Sequence, residues 1–573
     1  MRTVNIRILH TSDIHGCLFP FDFLHGKEAT GSLSRAYNYI KSRRKTFGRN
    51  LLLIDSGDIL QGQPTFYLSN FINTEKPNLA ASVYNYMQYD CVTIGNHDIE
   101  TGHLVYDKFN KELDSPLLAA NIICTETGKP YFKPYTIIER EGVRIAIIGM
   151  TTPTVPYWLN EELWQGMRFL SIEKCTREYV EIVKDKENAD IIIGLFHTGW
   201  KGGLALEEYE ENAVRHIAES IEGIDAIFFG HDHRLFCDTI MDRNGHKVLC
   251  INPASDAHYI GEAEITVVLE DNTSANNHVI ISKEIHGKLT SMKGIEPDER
   301  IISDFNHDYS TTKHYMDQSF GSTGKTTRTR DCFFGNAPLT DFIHHIQMEV
   351  CGADVSFSAP LCFDEVFPEG PFRTKDIFNL YKYENQIYAL MMTGEEIVWY
   401  LETSYDLWID TMLSAEDHIM KIQTYEYEGQ EYTFFKNLAF NFDTAAGIIY
   451  TVDVTQTKGR RINILSMSDG TPFSLNAKYK VAMHSYRGNG GTEFLTRGAG
   501  IPHEELRNRT VFRSPHNMRY YIQKEFENHG DMYLKADNNW HFIPTGWTEE
   551  AIRRDRNVLF PERMDKDCLT VLE

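Results

Sequence analysis

Five short apolar runs, each stopping at a cluster of Asp, His or Asn, constrain this chain more than any other feature. Residues 6–9 lead into His10-Thr11-Ser12-Asp13-Ile14-His15, residues 51–54 into Asp55-Ser56-Gly57-Asp58, and residues 91–94 into Gly95-Asn96-His97-Asp98. Residues 191–196 lead into His197-Thr198-Gly199, and residues 226–229 into Gly230-His231-Asp232-His233. Runs of four to six apolar residues bounded by turn residues suit fully buried strands. Helical stretches lie between them, as at residues 32–45 and 172–186. This alternation predicts an α/β domain. Open α/β sheets collect ligands at the carboxyl ends of their strands, so the five clusters are expected to converge.

At 573 residues the chain is too long for one hydrophobic core, and two or more domains are expected. Its net charge of −24, with no long basic run, would repel a polyanion and speaks against a stable nucleic-acid partner. A small phosphate substrate is compatible if cations reverse the field locally. Residues 1–10 are too short and too charged for a signal peptide and read as a first strand. No apolar run approaches the ~20 residues that span a bilayer, so no membrane partner is expected. Ten cysteines without a CxxC pair suggest reduced, mostly buried thiols. A cytoplasmic location is therefore expected, or a periplasmic one if a leader was trimmed; the oligomeric state is left open.

The clusters have the chemistry of metal ligands. Asp13 and His15 are two residues apart, so in an extended segment both point the same way and can reach one ion. His231 and His233 repeat that spacing. Asp58 follows Gly57, where a tight turn lets a carboxylate lean between two ions. Asn96 offers an amide oxygen and His197 a further imidazole. Oxygen and nitrogen donors without thiolate suit manganese, zinc or iron rather than a structural zinc site.

Taken together, Asp13-Ile-His15, Gly57-Asp58, Gly95-Asn-His-Asp98, His197 and Gly230-His-Asp-His233 resemble the calcineurin-like metallophosphoesterase signature. The resemblance implies that Asp13, His15, Asp58 and His233 bind one divalent ion and that Asp58, Asn96, His197 and His231 bind the other, with Asp58 bridging. Two ions ~3.5–4 Å apart can clamp phosphoryl oxygens and lower the pKa of a shared water towards ~7, for in-line attack on phosphorus. It further implies that His97 stabilises the transition state or protonates the leaving oxygen, and that Asn96 also meets the substrate. Relatives place an aspartate three residues after this histidine; here Glu100 stands there, as the candidate partner of His97. Asp98 is assigned to the surroundings of the ligands.

The whole chain resembles the 5′-nucleotidase family, and within it most closely the bacterial 2′,3′-cyclic-nucleotide 2′-phosphodiesterase/3′-nucleotidases. The matching stretches of the second half are Ser358-Ala-Pro360, Asn379-Leu-Tyr-Lys-Tyr-Glu-Asn385, residues 441–456 and Ser485-Tyr-Arg-Gly-Asn-Gly-Gly491. The implied fold is a two-domain α/β (α+β) protein. A four-layer αββα sandwich over residues 1–292 is followed by a linker helix and hinge over 293–325 and an α/β substrate-binding domain over 326–573. Tyr383 and Tyr486 match the aromatic pair that sandwiches the base. Where 5′-nucleotidases carry Gly-Gly-Gly-Ile-Arg, this chain reads Ser358-Ala-Pro-Leu-Cys-Phe-Asp364, which favours the cyclic-phosphodiesterase/3′-nucleotidase subgroup. Arg487 is the preferred substitute for the missing arginine, ahead of Arg373 and Arg328. The expected partner is a nucleotide; the alternative is a 5′-nucleotidase or UDP-sugar hydrolase on the same metals. In this family the domains can rotate. The connector is expected as one helix over residues 297–317, with Pro297 in its first turn and Ile301, Phe305, Tyr309 and Thr312 on one face. Gly321-Ser-Thr-Gly-Lys-Thr has its first glycine too close for a phosphate loop and reads as a flexible turn.

Overall fold

The structure is a computed structural model that describes residues 1–205, 210–272, 277–427 and 430–561. It divides into two compact units, Met1–His314 and Tyr315–Glu573.

In the first unit the predicted strands form two six-stranded sheets. Arg2–Thr11 runs parallel to Leu51–Asp55, which is followed by Cys91–Thr93 and Leu117–Leu118, all parallel. On its other side Arg2–Thr11 pairs antiparallel with Tyr259–Asn272, and that strand with Asn277–Ser291. The second sheet has parallel Val143–Thr151, Ile191–His197, Ala226–Phe229 and Lys247–Pro253, with Tyr135–Arg140 and Leu235–Met241 antiparallel at its edges.

The strand period of two decides what each face meets. Ile6, Ile8, Leu52 and Ile54 of the first sheet share one core with Ile145, Ile147, Ile193, Leu195 and Phe228 of the second. The alternate residues of the second sheet, including Ala146, Ile148, Phe196 and Phe229, pack with Ile172–Asp185 and Val214–Ser220. Leu33–Phe47 packs on the first sheet. These are the four layers αββα. Both predicted helices start where a serine caps them: Ser32 accepts from the Arg35 N–H and Ser171 from the Lys174 N–H.

The predicted connector is broken. It forms two helices, Glu299–Asp304 and Asn306–Met316, with the break at Phe305 and with Asp298, not Pro297, at the capping position. Ile301 and Thr312 are nevertheless buried, and Tyr309 packs edge-on against Phe19. These contacts bind residues 299–312 into the first unit.

The second unit is built on a five-stranded mixed sheet in the order Thr444–Ala446, Val355–Ser358, Lys478–His484, Gln386–Thr393, Thr510–Asn517. Gly394–Trp408 buries Tyr400, Leu401, Tyr405 and Trp408 in the core of one face, where Tyr400 stacks on Phe357 at 4.0 Å. Pro338–Cys351 and Met518–His529 contribute to the core of the other.

The stretch expected as a flexible turn is corrected by the structure. Ser319–Thr323 is a strand, paired with Gly370–Arg373 and with Asp531–Met532. Glycine and serine here serve close backbone approach rather than mobility: a Cβ on Gly321 would lie 2.2 Å from the Gly530 carbonyl oxygen. Among the described residues no helix is long and apolar enough to cross a membrane. No disulfide joins the nine described cysteines, and Cys568 lies outside the described residues.

Gly321→Ala is expected to destabilise the second unit by about 1–3 kcal/mol through overpacking. Gly546→Ala, where an added Cβ meets nothing within 4 Å, should leave the melting curve unchanged or raised. Equal melting temperatures for the two variants would refute this account of Gly321.

Candidate active site

All five polar clusters lie at carboxyl ends of strands in the first unit. Asp13 and His15 follow Arg2–Thr11, Asp58 follows Leu51–Asp55, and Asn96 opens the short helix after Cys91–Thr93. His197 ends Ile191–His197, and His231 and His233 follow Ala226–Phe229. Because these strands are parallel within each sheet, their ends converge.

Side chains complete the convergence. His15 Nε2 is 3.1 Å from His233 Nε2, and His233 Nε2 is 3.3 Å from Asp13 Oδ1. His197 Nε2 lies 3.0 Å from both Asp58 Oδ2 and Asn96 Oδ1, and His231 Nδ1 lies 2.8 Å from Asn96 Oδ1. Asp13, His15 and His233 form one group of donors that could hold a metal ion; Asp13, Asp58 and His197 form another. The seven residues singled out in the sequence therefore stand together.

The donor chemistry fits cations. His15 Nδ1 donates to the Gln61 carbonyl at 2.9 Å and His197 Nδ1 to the Ser56 carbonyl at 2.8 Å. A carbonyl can only accept, so in each neutral ring the inward Nε2 keeps its lone pair. Burial alone would raise the Asp13 and Asp58 carboxyls. The hydrogen bond and charge of His233 hold Asp13 below its ordinary value, and those of His197 hold Asp58 well below. Burial opposes charge on His197, yet the Asp58 carboxylate raises it to about 10. The same negative charge that draws protons onto these rings draws cations to this point.

The backbone at these residues has an unusual conformation. Asp13, His15, Asp58, His231 and His233 all have positive φ, between 47° and 79°. This is the left-handed region, in which Asp and His are enriched among non-glycine residues and which clusters at functional sites. Asp98 holds the Asp58 turn: its carboxylate accepts the N–H groups of Asp58, Ile59, Leu60 and Gly95 at 2.8–2.9 Å. Asp58 Oδ1 in turn accepts the His97 N–H at 2.8 Å.

His97 stands beside the cluster, its ring 5.4 Å from that of His15. Its Nδ1 is 2.6 Å from Glu100 Oε2, so the longer side chain at position 100 closes the pair. Burial opposes a charged ring there, but Asp58 and the Glu100 hydrogen bond raise it to about 9.

Residues 6–235 match the calcineurin-like phosphoesterase family, and residues 312–497 match the 5′-nucleotidase C-terminal domain. The chain thus carries a calcineurin-like phosphoesterase domain followed by a 5′-nucleotidase carboxyl-terminal domain. The chain is 27% identical, over 95% of its length, to the trifunctional nucleotide phosphoesterase protein YfkN of Bacillus subtilis, of which it spans 39%. It is 25% identical over 94% of its length to the 2′,3′-cyclic-nucleotide 2′-phosphodiesterase/3′-nucleotidase of Haemophilus influenzae, of which it spans 88%. A Staphylococcus aureus protein with a provisional 5′-nucleotidase name, solved with α-ketoglutarate, shares the fold at a TM-score of 0.74 and 21% identity, over 94% of this chain and 100% of that one.

The expected substrate residues of the second unit divide. Strands Gln386–Thr393 and Lys478–His484 are antiparallel with Ile387 opposite His484, which brings the segments carrying Tyr383 and Tyr486 to the same end of the sheet. The Gln386 N–H donates to Ser485 Oγ at 3.2 Å across this junction. Tyr383 is 37% exposed. Arg487 differs from expectation. It is 1% exposed and pairs with Asp443 through Nε at 3.0 Å and Nη2 at 3.1 Å. Its remaining donors go to Thr492, the Phe440 carbonyl and Asn441, and it lies over the Phe494 ring. Its guanidinium is spent on holding this loop, so the expected substrate contact is corrected to an internal one. Sequence reasoning missed the Gln61 and Ser56 carbonyls and Glu211, whose Oε1 lies 3.0 Å from His231 Nε2. No spacing rule marks a backbone acceptor or a hairpin carboxylate.

An added Cβ at Gly95 would lie 2.0 Å from Asp58 Oδ1. Gly95→Ala is therefore expected to yield a folded chain that retains far less metal on dialysis than the parent, measured by elemental analysis. Unchanged metal content would show that the Asp58 carboxylate is not fixed as described.

Proposed function

We propose that this chain is a dinuclear-metal nucleotidase that hydrolyses nucleotide phosphoesters, with 2′,3′-cyclic nucleotides and 3′-nucleotides preferred. The observation that carries the proposal is the convergence of seven oxygen and nitrogen donors: Asp13 groups with His15 and His233 and also with Asp58 and His197, and Asn96 meets His197 and His231. Asp13, His15, Asp58 and His233 would hold one ion, and Asp58, Asn96, His197 and His231 the other. When bound, two such ions supply Lewis-acid charge to phosphoryl oxygens and a nucleophile of lowered pKa.

The chain's own groups account for the rest. His97, held on Nδ1 by Glu100, would carry a proton to the leaving oxygen. Tyr383 and Tyr486 are assigned to the base, by stacking. The preference for cyclic and 3′-nucleotides is supported by the absence of an arginine from residues 358–364 and by the Haemophilus influenzae relative.

Phosphate release from 2′,3′-cyclic AMP, 3′-AMP, 5′-AMP and UDP-glucose, with added manganese, tests the reading. The first two are expected to be fastest; faster turnover of 5′-AMP or UDP-glucose would reassign the enzyme. Asp58→Ala should lose both ions and nearly all activity. His97→Ala should keep its metal and lose 10²–10⁴-fold in kcat, roughly the worth of one positioned acid; loss of metal instead would contradict its role. Tyr383→Ala or Tyr486→Ala should raise KM about 5- to 150-fold, as expected for ~1–3 kcal/mol of stacking.

A further inference from the structure

Glu211 lies on the short strand Glu210–Asn212, paired with Gly202–Ala205 in the hairpin that follows His197. Its side chain is 18% exposed. Oε1 is 3.0 Å from His231 Nε2, and Oε2 accepts the Leu204 N–H at 2.7 Å. The opposite ring nitrogen of His231, Nδ1, faces Asn96 Oδ1 at 2.8 Å. The His231 main-chain N–H donates to both oxygens of Asp13 at 3.1 Å. Trp158 stacks on the imidazole with centroids 5.7 Å apart and planes 24° apart. The ring is thus held at its backbone, on one face and at one edge.

We propose that Glu211 is a positioning residue for the second cation, acting through His231. A neutral imidazole carries its proton on either nitrogen. If Nε2 lacked an acceptor, the tautomer with the proton on Nδ1 would aim that proton at the cation and offer no lone pair. The Glu211 carboxylate accepts the Nε2–H, reserves the Nδ1 lone pair for the ion and strengthens it as a donor. A carboxylate suits the position because two N–H groups face it, from His231 and from Leu204. A glutamine would turn its own NH₂ towards one of them. This assignment rests on the two-ion reading above.

The test is manganese titrated by calorimetry into the chelator-stripped full-length chain and into Glu211→Gln and Glu211→Ala. The parent is expected to bind two ions. Each variant should bind one with the parental affinity and the other about 10- to 100-fold more weakly. The manganese needed for half-maximal phosphate release should rise by the same factor, with excess manganese restoring kcat to within a few-fold. The metal-free melting temperature should stay at the parental value. Two tight ions in Glu211→Gln would overturn the assignment. Weakening of both ions together with a lowered metal-free melting temperature would also overturn it, by making Glu211 a support of the hairpin alone. Fewer than two ions in the parent would instead remove the two-ion reading, and this inference with it.

Discussion

Asp58 is a carboxylate with almost no exposure, and burying such a charge is tolerated only where partners compensate it. The compensation comes from several directions: the His97 N–H, the His197 ring and the turn held by Asp98. His97 and Asp98 follow Cys91–Thr93 of the first sheet and His197 ends Ile191–His197 of the second, so the site exists only if both sheets are correctly assembled. Strand order, parallel pairing and the αββα layering are the means by which distant segments reach one carboxylate.

The supporting groups repeat one pattern. A ring nitrogen or backbone N–H is given to a fixed acceptor so that the opposite atom faces the centre. Gln61 does this for His15, Ser56 for His197 and Glu211 for His231. Asp98 does it for a whole turn. Fixing the outward hydrogen bonds fixes the inward lone pairs, which lets a small number of residues specify a precise electrostatic environment.

Much of this was legible in the sequence, for a definite reason. Fully buried strands are short apolar runs, and their ends are marked by polar residues that a core would reject, so strand ends and candidate ligands share one signal. Asp13, His15, Asp58, Asn96, His197, His231 and His233 were found in that way. Harder to read were features whose signal is shared with something else. Gly321 and Ser322 have the composition of a loose turn, yet they lie in a strand because a neighbouring backbone passes close by. Arg487 looks like an anion-binding residue, and only its burial against Asp443 shows otherwise. The break at Phe305 lies within an unbroken apolar period, and periodicity alone cannot mark it.

Five of the seven donors occupy left-handed backbone, which for non-glycine residues costs about 1–3 kcal/mol apiece. Cations bound to the folded form alone would offset that cost by mass action. Metal supply then governs not only turnover but how long a copy survives: chains made in a cation-starved cell would open more often and be cleared sooner by proteolysis. Loops built in this way would couple the stability of the fold to the cations they are proposed to hold.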